Sequence, residues 1–213
     1  MRCDKKHMLL YAVTDRAWVG KQTLYQQVEA ALKGGVTCVQ LREKELDEAA
    51  FLWEAQEICA LCRRYHVPFI VNDNLDIAIA CGADGIHLGQ EDMPPDEVRR
   101  RTGRDMILGV SVHTVEQARQ AVRDGADYLG LGAVFPTRTK ADADHMPNER
   151  LRAICSAVEV PVVAIGGINR DNLLKLSGSG VDGAALVSAV FSAEDIEETC
   201  RELRELSEVM VGT

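Results

Sequence analysis

Eight apolar, strand-like runs are spaced along this chain, and each ends, while none begins, in polar or glycine-rich residues. The runs with their polar ends are Tyr11–Asp15, Val39–Lys44, Phe69–Asp73, Ile86–Asp92, Val110–His113, Leu129–Lys140, Val162–Gly167 and Ala185–Ser188. Parallel strands that close into a barrel place all their C-terminal ends on one face, where the active site lies. The pattern therefore predicts where the chemistry takes place before it indicates what the chemistry is.

Amphipathic helical stretches separate these runs, and no hairpin signal joins two of them. Leu24, Val28 and Ala31 recur at helical spacing, and similar series follow at Phe51–Cys62, Val115–Val122 and Ile196–Leu203. Alternating strands and helices indicate a parallel sheet. We predict an α/β fold, a single-domain (β/α)8 TIM barrel over residues 1–213, with the barrel proper at about 9–210. The alternative is an open doubly wound sheet, but no G-x-G-x-x-G follows the first strand.

A short internal repeat supports the regular architecture. Its four copies begin at Gly34, Cys81, Asp124 and Ser179, and each combines glycine with Asp or Thr just before a strand. Glycine directly after a helix is a common C-cap. We interpret these copies as structural and not catalytic.

Composition restricts the partners. The chain has 213 residues and a net charge of −9, which disfavours binding to nucleic acid or an anionic membrane. Its 7 cysteines are irregularly spaced in apolar stretches, which is typical of a protein of the reducing cytoplasm. Cys59 and Cys62 form a C-x-x-C inside a helical pattern, where core packing is favoured over a zinc or redox role. No signal peptide or membrane-spanning stretch is predicted.

The first candidate site follows the second strand. Strand alternation places Gln40 and Arg42 on one side, with Lys44 just beyond. An arginine fork and a lysine ammonium at one strand end suit a polyphosphate. The alternative is a solvated charged loop.

Carboxylates follow the third and fourth strands. Asn72 and Asp73 end one strand, and Asp92 follows the next. Two carboxylates facing a cationic cluster predict a bridging cation, and magnesium prefers one or two carboxylates together with substrate phosphates. For Asp92 the alternative is helix N-capping before Met93 and Pro94.

A second phosphate site is predicted after strands six to eight. Thr137, Arg138, Thr139 and Lys140 provide hydroxyls and cations, although Lys140 as a Schiff-base lysine is a rival interpretation. Gly166 and Gly167 follow strand seven, and Val187 and Ser188 follow strand eight. Loops at these two strands frequently bind phosphate through backbone N–H groups. The two anion sites together predict two phosphorylated small-molecule substrates.

The histidines have weaker signals. His66 precedes Val67 and Pro68 and is expected on the surface, whereas His87 lies within a strand and could line the barrel. His113 opens a helix. No histidine pair has zinc spacing, and no serine or cysteine is placed for a catalytic triad.

Taken in order, these motifs resemble the thiamine phosphate synthase family. The resemblance extends from Leu10 to about Phe191, and its motifs are Gln40–Lys44, Val71–Asp73, Gly85–Asp92, Gly109–Ser111, Pro136–Lys140, Ala164–Ile168 and Val187–Ser188. It implies a barrel that joins hydroxymethylpyrimidine diphosphate to hydroxyethylthiazole phosphate and releases pyrophosphate.

The resemblance also implies roles for individual residues. Magnesium would be held by Asp73 and Asp92. The chemistry of the residues agrees, because Arg42, Lys44 and Lys140 would stabilise the departing pyrophosphate together with the metal. The pyrimidine diphosphate would contact Gln40, Leu41, Arg42, Glu43, Lys44, Asn72, Ser111 and Lys140. The thiazole phosphate would contact Thr137, Arg138, Thr139, Gly167, Val187 and Ser188. Two alternatives remain open, a related barrel that tautomerises a thiazole phosphate and a non-catalytic phosphate-binding barrel.

Overall fold

Eight parallel strands form a closed barrel in chain order in the computed structural model, which describes residues 3–136 and 146–212. The strands are β1 (Leu10–Val13), β2 (Cys38–Leu41), β3 (Phe69–Asn72), β4 (Gly85–Leu88), β5 (Ile107–Val112), β6 (Tyr128–Leu131), β7 (Val162–Ile165) and β8 (Gly183–Leu186). β1 closes the barrel by pairing with β8, Tyr11 opposite Ala185. The predicted (β/α)8 fold is confirmed, and the open doubly wound alternative is wrong.

Helices surround this barrel. They are α1 (Lys5–Met8), α2 (Leu24–Lys33), α3 (Glu48–Arg64), α4 (Leu75–Cys81), α5 (Pro95–Thr102), α6 (Val115–Arg123), α7 (Asn148–Cys155), α8 (Ser188–Phe191) and α9 (Ile196–Val211). The connection from β7 to β8 contains a 3₁₀ helix, Leu173–Leu176, instead of an α-helix. Glycines on both sides leave a short segment there, and the i,i+3 spacing buries Leu173 and Leu176 together. Within residues 3–136 and 146–212, no helix is long and apolar enough to cross a bilayer.

Strand alternation divides the core into two layers. Outward-facing side chains such as Val39, Leu41 and Val71 pack against the helices in the larger cluster. Inward-facing side chains, among them Tyr11 and Tyr128, fill the barrel itself. Strands buried on both faces explain why the sequence runs are uniformly apolar.

The internal repeat has a structural role at the N-terminal end of the barrel. In each copy, a Thr or Asp lies just before an even-numbered strand, and its side chain accepts a hydrogen bond from a backbone N–H of the preceding odd-numbered strand. The backbone N–H of the Thr or Asp donates in return to the carbonyl of the same strand residue. The side-chain bonds, each 2.9 Å long, are Leu10 N to Thr37 Oγ1, Phe69 N to Asp84 Oδ2, Leu108 N to Asp127 Oδ2 and Val162 N to Asp182 Oδ2. These bonds join neighbouring strands in four pairs, β1 with β2, β3 with β4, β5 with β6 and β7 with β8, at the end opposite the cavity.

Candidate active site

A cavity of about 340 Å³ opens at the C-terminal ends of the strands. This volume is within the range of small-molecule sites. Seven of the residues predicted from the sequence line it, namely Gln40, Arg42, Asn72, Ser111, Gly167, Val187 and Ser188. The barrel thus brings together residues from both predicted anion sites in one cavity.

A cation and two carboxylates lie together at the ends of β2, β3 and β4. The Lys44 ammonium forms an ion pair with the carboxylate of Asp73. Asp73 itself has a positive φ of 62°, a conformation that Asp and Asn adopt more readily than most residues. Its backbone N–H donates to the carbonyl of His87 at 2.9 Å. The third strand therefore turns sharply where its carboxylate reaches the cluster.

Asp92 belongs to the same cluster. Its Oδ2 accepts a 2.6 Å hydrogen bond from the N–H of Gly89, within the loop after β4. The alternative role as a helix cap is wrong, because the N-cap position of α5 is Pro94 and no side chain caps that helix. Burial, with a further contribution from the hydrogen-bonded carboxyl of Asp73, raises the pKa of Asp92. Two carboxylates held this close favour a bound cation, which would relieve their repulsion.

The chemistry of this donor set fits magnesium. Two carboxylate side chains provide oxygen ligands, and Mg²⁺ completes its shell with water and substrate phosphate oxygens. Within the described part of the chain, no group of three or more His, Cys, Asp or Glu residues could form an all-protein metal cage. The site therefore suits a cation that binds together with a phosphorylated substrate.

Two residues of the Gln40–Lys44 motif have side chains that point away from the cavity. Leu41 is fully buried in the outer core. The buried Glu43 carboxylate receives the guanidinium of Arg16 at 2.7 Å and the backbone N–H groups of Lys44, Glu45 and Leu46 at 2.6 to 3.1 Å. The resemblance implied substrate contact by Leu41 and Glu43, but their side chains point elsewhere, Leu41 because of strand alternation and Glu43 because of its ion pair with Arg16. Glu43 instead organises the loop that carries Lys44.

Glycines form the opposite side of the cavity, after β7. Gly166 and Gly167 have φ values of 99° and 67°, and a Cβ at Gly167 would collide with the backbone of Phe135 and Pro136. Only glycine fits this close approach. Val187 and Ser188 complete this side at the end of β8. The arrangement is a concave, uncharged backbone surface that suits an anion.

Thr137, Arg138, Thr139 and Lys140 lie outside the described residues, so their roles stay predictions. The described residues on either side of this segment do reach the cavity. Ala133 and Met146 both line it, and the N–H of Met146 donates to the carbonyl of Ala133 at 2.7 Å.

Five polar side chains form a hydrogen-bond chain inside the barrel, which we call the interior chain. In order they are Gln40, Tyr11, Tyr128, His87 and Ser111, with successive separations of 2.8, 2.8, 2.9 and 2.9 Å. Sequence reasoning gave His87 only a minor pocket role and overlooked both tyrosines. Strand alternation could have found Tyr11, which lies two residues before the cavity-lining Val13 on the same strand.

Two further basic residues line the cavity, His113 and Arg150. His113 was expected to have less of a pocket role than His87, yet its Nδ1 lies 3.0 Å from the carbonyl of Gly132. Arg150 lies in the first turns of α7, where no sequence motif marked it. By contrast, His66 is exposed, as expected.

Comparisons with known proteins agree with this geometry. The family model described as thiamine monophosphate synthase matches residues 10–190. A thiamine-phosphate synthase of Clostridium tetani is 47% identical over 194 residues, 91% of this chain and 93% of that protein. One from Clostridium acetobutylicum is 46% identical over 192 residues, 90% of this chain and 91% of that protein.

A solved structure resembles the whole barrel. The thiamine phosphate pyrophosphorylase from Pyrococcus furiosus superimposes with a TM-score of 0.90 at 40% identity, covering 98% of this chain and 99% of that one. The match in sequence and in fold spans every strand that contributes to the cavity. This chain therefore belongs to the thiamine monophosphate synthase family.

Proposed function

We propose that this protein is a thiamine-phosphate synthase that joins hydroxymethylpyrimidine diphosphate to hydroxyethylthiazole phosphate and releases pyrophosphate. The observation that carries the proposal is that two chemically different groups of residues meet around one cavity. Arg42 and the Lys44–Asp73–Asp92 cluster lie on one side, and the Gly167 and Ser188 backbone lies on the other. A diphosphate with a metal suits the first side, and a monophosphate suits the second.

The chemistry requires no general base. The thiazole nitrogen attacks with its own lone pair, so an N–C bond forms at the pyrimidine methylene while the C–O bond breaks and its electron pair leaves with pyrophosphate. The barrier lies in this C–O cleavage, and negative charge develops on the leaving oxygens. The guanidinium of Arg42 and the ammonium of Lys44 would stabilise that charge. The cavity holds the two substrates in reacting orientation, which provides much of the remaining acceleration.

We also propose that the enzyme is a magnesium-dependent transferase of the cytoplasm. Asp73 and Asp92 would hold Mg²⁺, which would neutralise the diphosphate. The support for a reducing compartment is that all seven cysteines are free thiols. Lys140 is proposed to join Arg42 and Lys44 at the pyrophosphate, and Thr137, Arg138 and Thr139 to join Gly167 at the thiazole phosphate.

One assay tests the function and its metal dependence together. The purified protein is mixed with both substrates and MgCl2, and thiamine phosphate and pyrophosphate are quantified. We expect the two products in equal amounts, with activity lost after EDTA treatment and restored by added Mg²⁺. Absence of thiamine phosphate would refute the function, whereas full turnover after exhaustive chelation would refute only the metal assignment. Tautomerisation of the thiazole phosphate without coupling would support the tautomerase alternative.

A further inference from the structure

The two tyrosines of the interior chain lie beneath the cavity and not on its wall. Tyr11 and Tyr128 are almost completely buried, with exposed fractions of 1% and 0%. Buried hydroxyl groups are nearly always hydrogen-bonded, so each tyrosyl hydrogen must be donated to a neighbour. Gly109 provides the space for Tyr128, because a Cβ at that position would overlap the tyrosine ring. The barrel is thus built to hold these two hydroxyl groups in contact.

The order of donors along the interior chain follows from its first member. The side-chain nitrogen of Gln40 can only donate, so Tyr11 Oη accepts from it. Two groups are then within reach of the Tyr11 hydrogen, the hydroxyl of Tyr128 at 2.8 Å and the thiol of Cys38, and we infer donation to Tyr128 because sulfur is the weaker acceptor. Tyr128 then donates to His87 Nδ1.

An imidazole whose Nδ1 accepts carries its hydrogen on Nε2. His87 Nε2 therefore donates to Ser111 Oγ, 2.9 Å away. Because Ser111 lines the cavity, its own hydroxyl hydrogen is left to point toward a ligand. Each step of the interior chain depends on the one before it.

We propose that Tyr11 and Tyr128 are positioning residues that select the Nε2–H form of His87 and so present Ser111 to the cavity as a hydrogen-bond donor. The group that Ser111 recognises would be an acceptor, such as a ring nitrogen lone pair. The identification of that ring as the pyrimidine of the first substrate rests on the proposed function. The direction of the interior chain does not, because it is a property of the ligand-free protein.

A substitution that reverses the order of hydrogen-bond donors along the interior chain tests the proposal. Gln40→Glu replaces the amide with a carboxylate that only accepts, so Tyr11 must donate to it and Tyr128 must donate to Tyr11. His87 Nδ1 then carries the hydrogen and Nε2 accepts from Ser111. Nitrogen-15 NMR of the histidine side chains in the ligand-free protein distinguishes the two forms, and His87→Gln identifies the signal. We expect Nε2–H in the original protein and Nδ1–H in Gln40→Glu. The same form in both proteins, or Nδ1–H in the original, would overturn the proposal.

Kinetic measurements test whether the donor order of the interior chain affects the reaction of the pyrimidine diphosphate. Tyr11→Phe removes one hydroxyl that contacts neither His87 nor Ser111, and Tyr65→Phe is the control on the outer layer. We expect Tyr11→Phe to lower kcat/KM for the pyrimidine diphosphate about fivefold and to leave the KM of the thiazole phosphate unchanged. The same variant should show a mixture of His87 forms.

A merely structural role predicts lower stability of Tyr11→Phe with an unchanged His87 signal and unchanged kcat/KM, and that result would refute the positioning role. The two proposals fail separately. An unaltered protein that makes no thiamine phosphate would refute the function, while the NMR comparison would still decide the direction of the interior chain.

Discussion

The ion pair between Lys44 and Asp73 joins the loop after β2 to the end of β3, at the mouth of the cavity. It places a cation beside one of two neighbouring carboxylates before any ligand is bound. A metal and a diphosphate that enter together would exchange partners with this pair, the metal taking Asp73 and the phosphate taking Lys44. Under the proposed function, the cluster would therefore suit a metal–diphosphate complex better than either component alone.

Two substitutions at Asp73 separate the effect of losing its charge from the effect of straining its left-handed backbone. We expect Asp73→Asn to lower kcat at least about a hundredfold, because a ligand to the proposed charge-stabilising cation would be lost. Its free energy of unfolding should change by less than about 0.5 kcal/mol, because Asn tolerates the left-handed φ of 62°. Asp73→Ala should lose similar activity and also about 1 kcal/mol of stability. Urea denaturation and initial rates measure both. Equal stability of the two variants would contradict the conformational part of the argument.

The Glu43 carboxylate is expected to stabilise the protein in a pH-dependent way. Burial raises its pKa, but the hydrogen bonds from Arg16 and from the N–H groups of Glu45 and Leu46 outweigh burial, so the pKa lies below the ordinary 4.5. A carboxyl group with a lowered folded-state pKa stabilises the fold above its unfolded pKa and loses that effect as the pH falls through the folded value. Glu43→Gln should therefore cost about 1 to 2 kcal/mol at neutral pH, and progressively less below about pH 4.5.

Urea denaturation across that pH range measures the difference between Glu43→Gln and the original protein. Glu45→Gln is the matched control, because Glu45 is the exposed acidic neighbour on the same loop. A cost that stays constant from neutral pH to well below 4.5 would show that packing, and not the charge of Glu43, holds the loop.

The interior of the barrel should not tolerate a methyl group beside Tyr128. Gly109→Ala would place a Cβ within the tyrosine ring, so the ring must move and its hydrogen bonds to Tyr11 and His87 must break. We expect a loss of about 2 kcal/mol in unfolding free energy together with reduced kcat/KM. Gly20→Ala is the control, because no atom lies within 4 Å of its added Cβ. Thermal denaturation that gives the same midpoint for both variants would contradict the close packing.

A substitution on the thiazole phosphate side of the cavity should affect substrate binding more than turnover. Ser188→Ala is expected to raise KM for the thiazole phosphate about tenfold, because a hydroxyl donor to a charged group is lost. The kcat should change little, since that phosphate is remote from the bond that breaks. Steady-state kinetics with each substrate varied in turn measure the separate effects on KM and kcat. Ser177→Ala, at an exposed serine, is the control. A collapse of kcat in Ser188→Ala would indicate that the two substrates bind in the opposite orientation.

The order of residues alone was enough to predict the barrel and the location of its chemistry. Uniformly apolar strand runs with polar C-terminal ends are a local property of the chain, and a closed parallel barrel is the architecture that gathers those ends on one face. The residues at strand ends, such as Arg42, Ser111 and Gly167, could therefore be assigned to one cavity without coordinates, and Asp73 to the cluster at its mouth.

Which side chains within a motif face the cavity, and which residues support them, depends on contacts that form only in the folded barrel. Leu41 and Glu43 stand beside Arg42 in the chain, but the pleat of β2 directs Leu41 into the outer core, and Glu43, just past the strand, bonds to Arg16 from another loop. The interior chain links five strands, so no spacing along the sequence encodes its contacts. Tyr11 and Tyr128 meet because closure of the barrel brings together residues that are 117 positions apart in the chain.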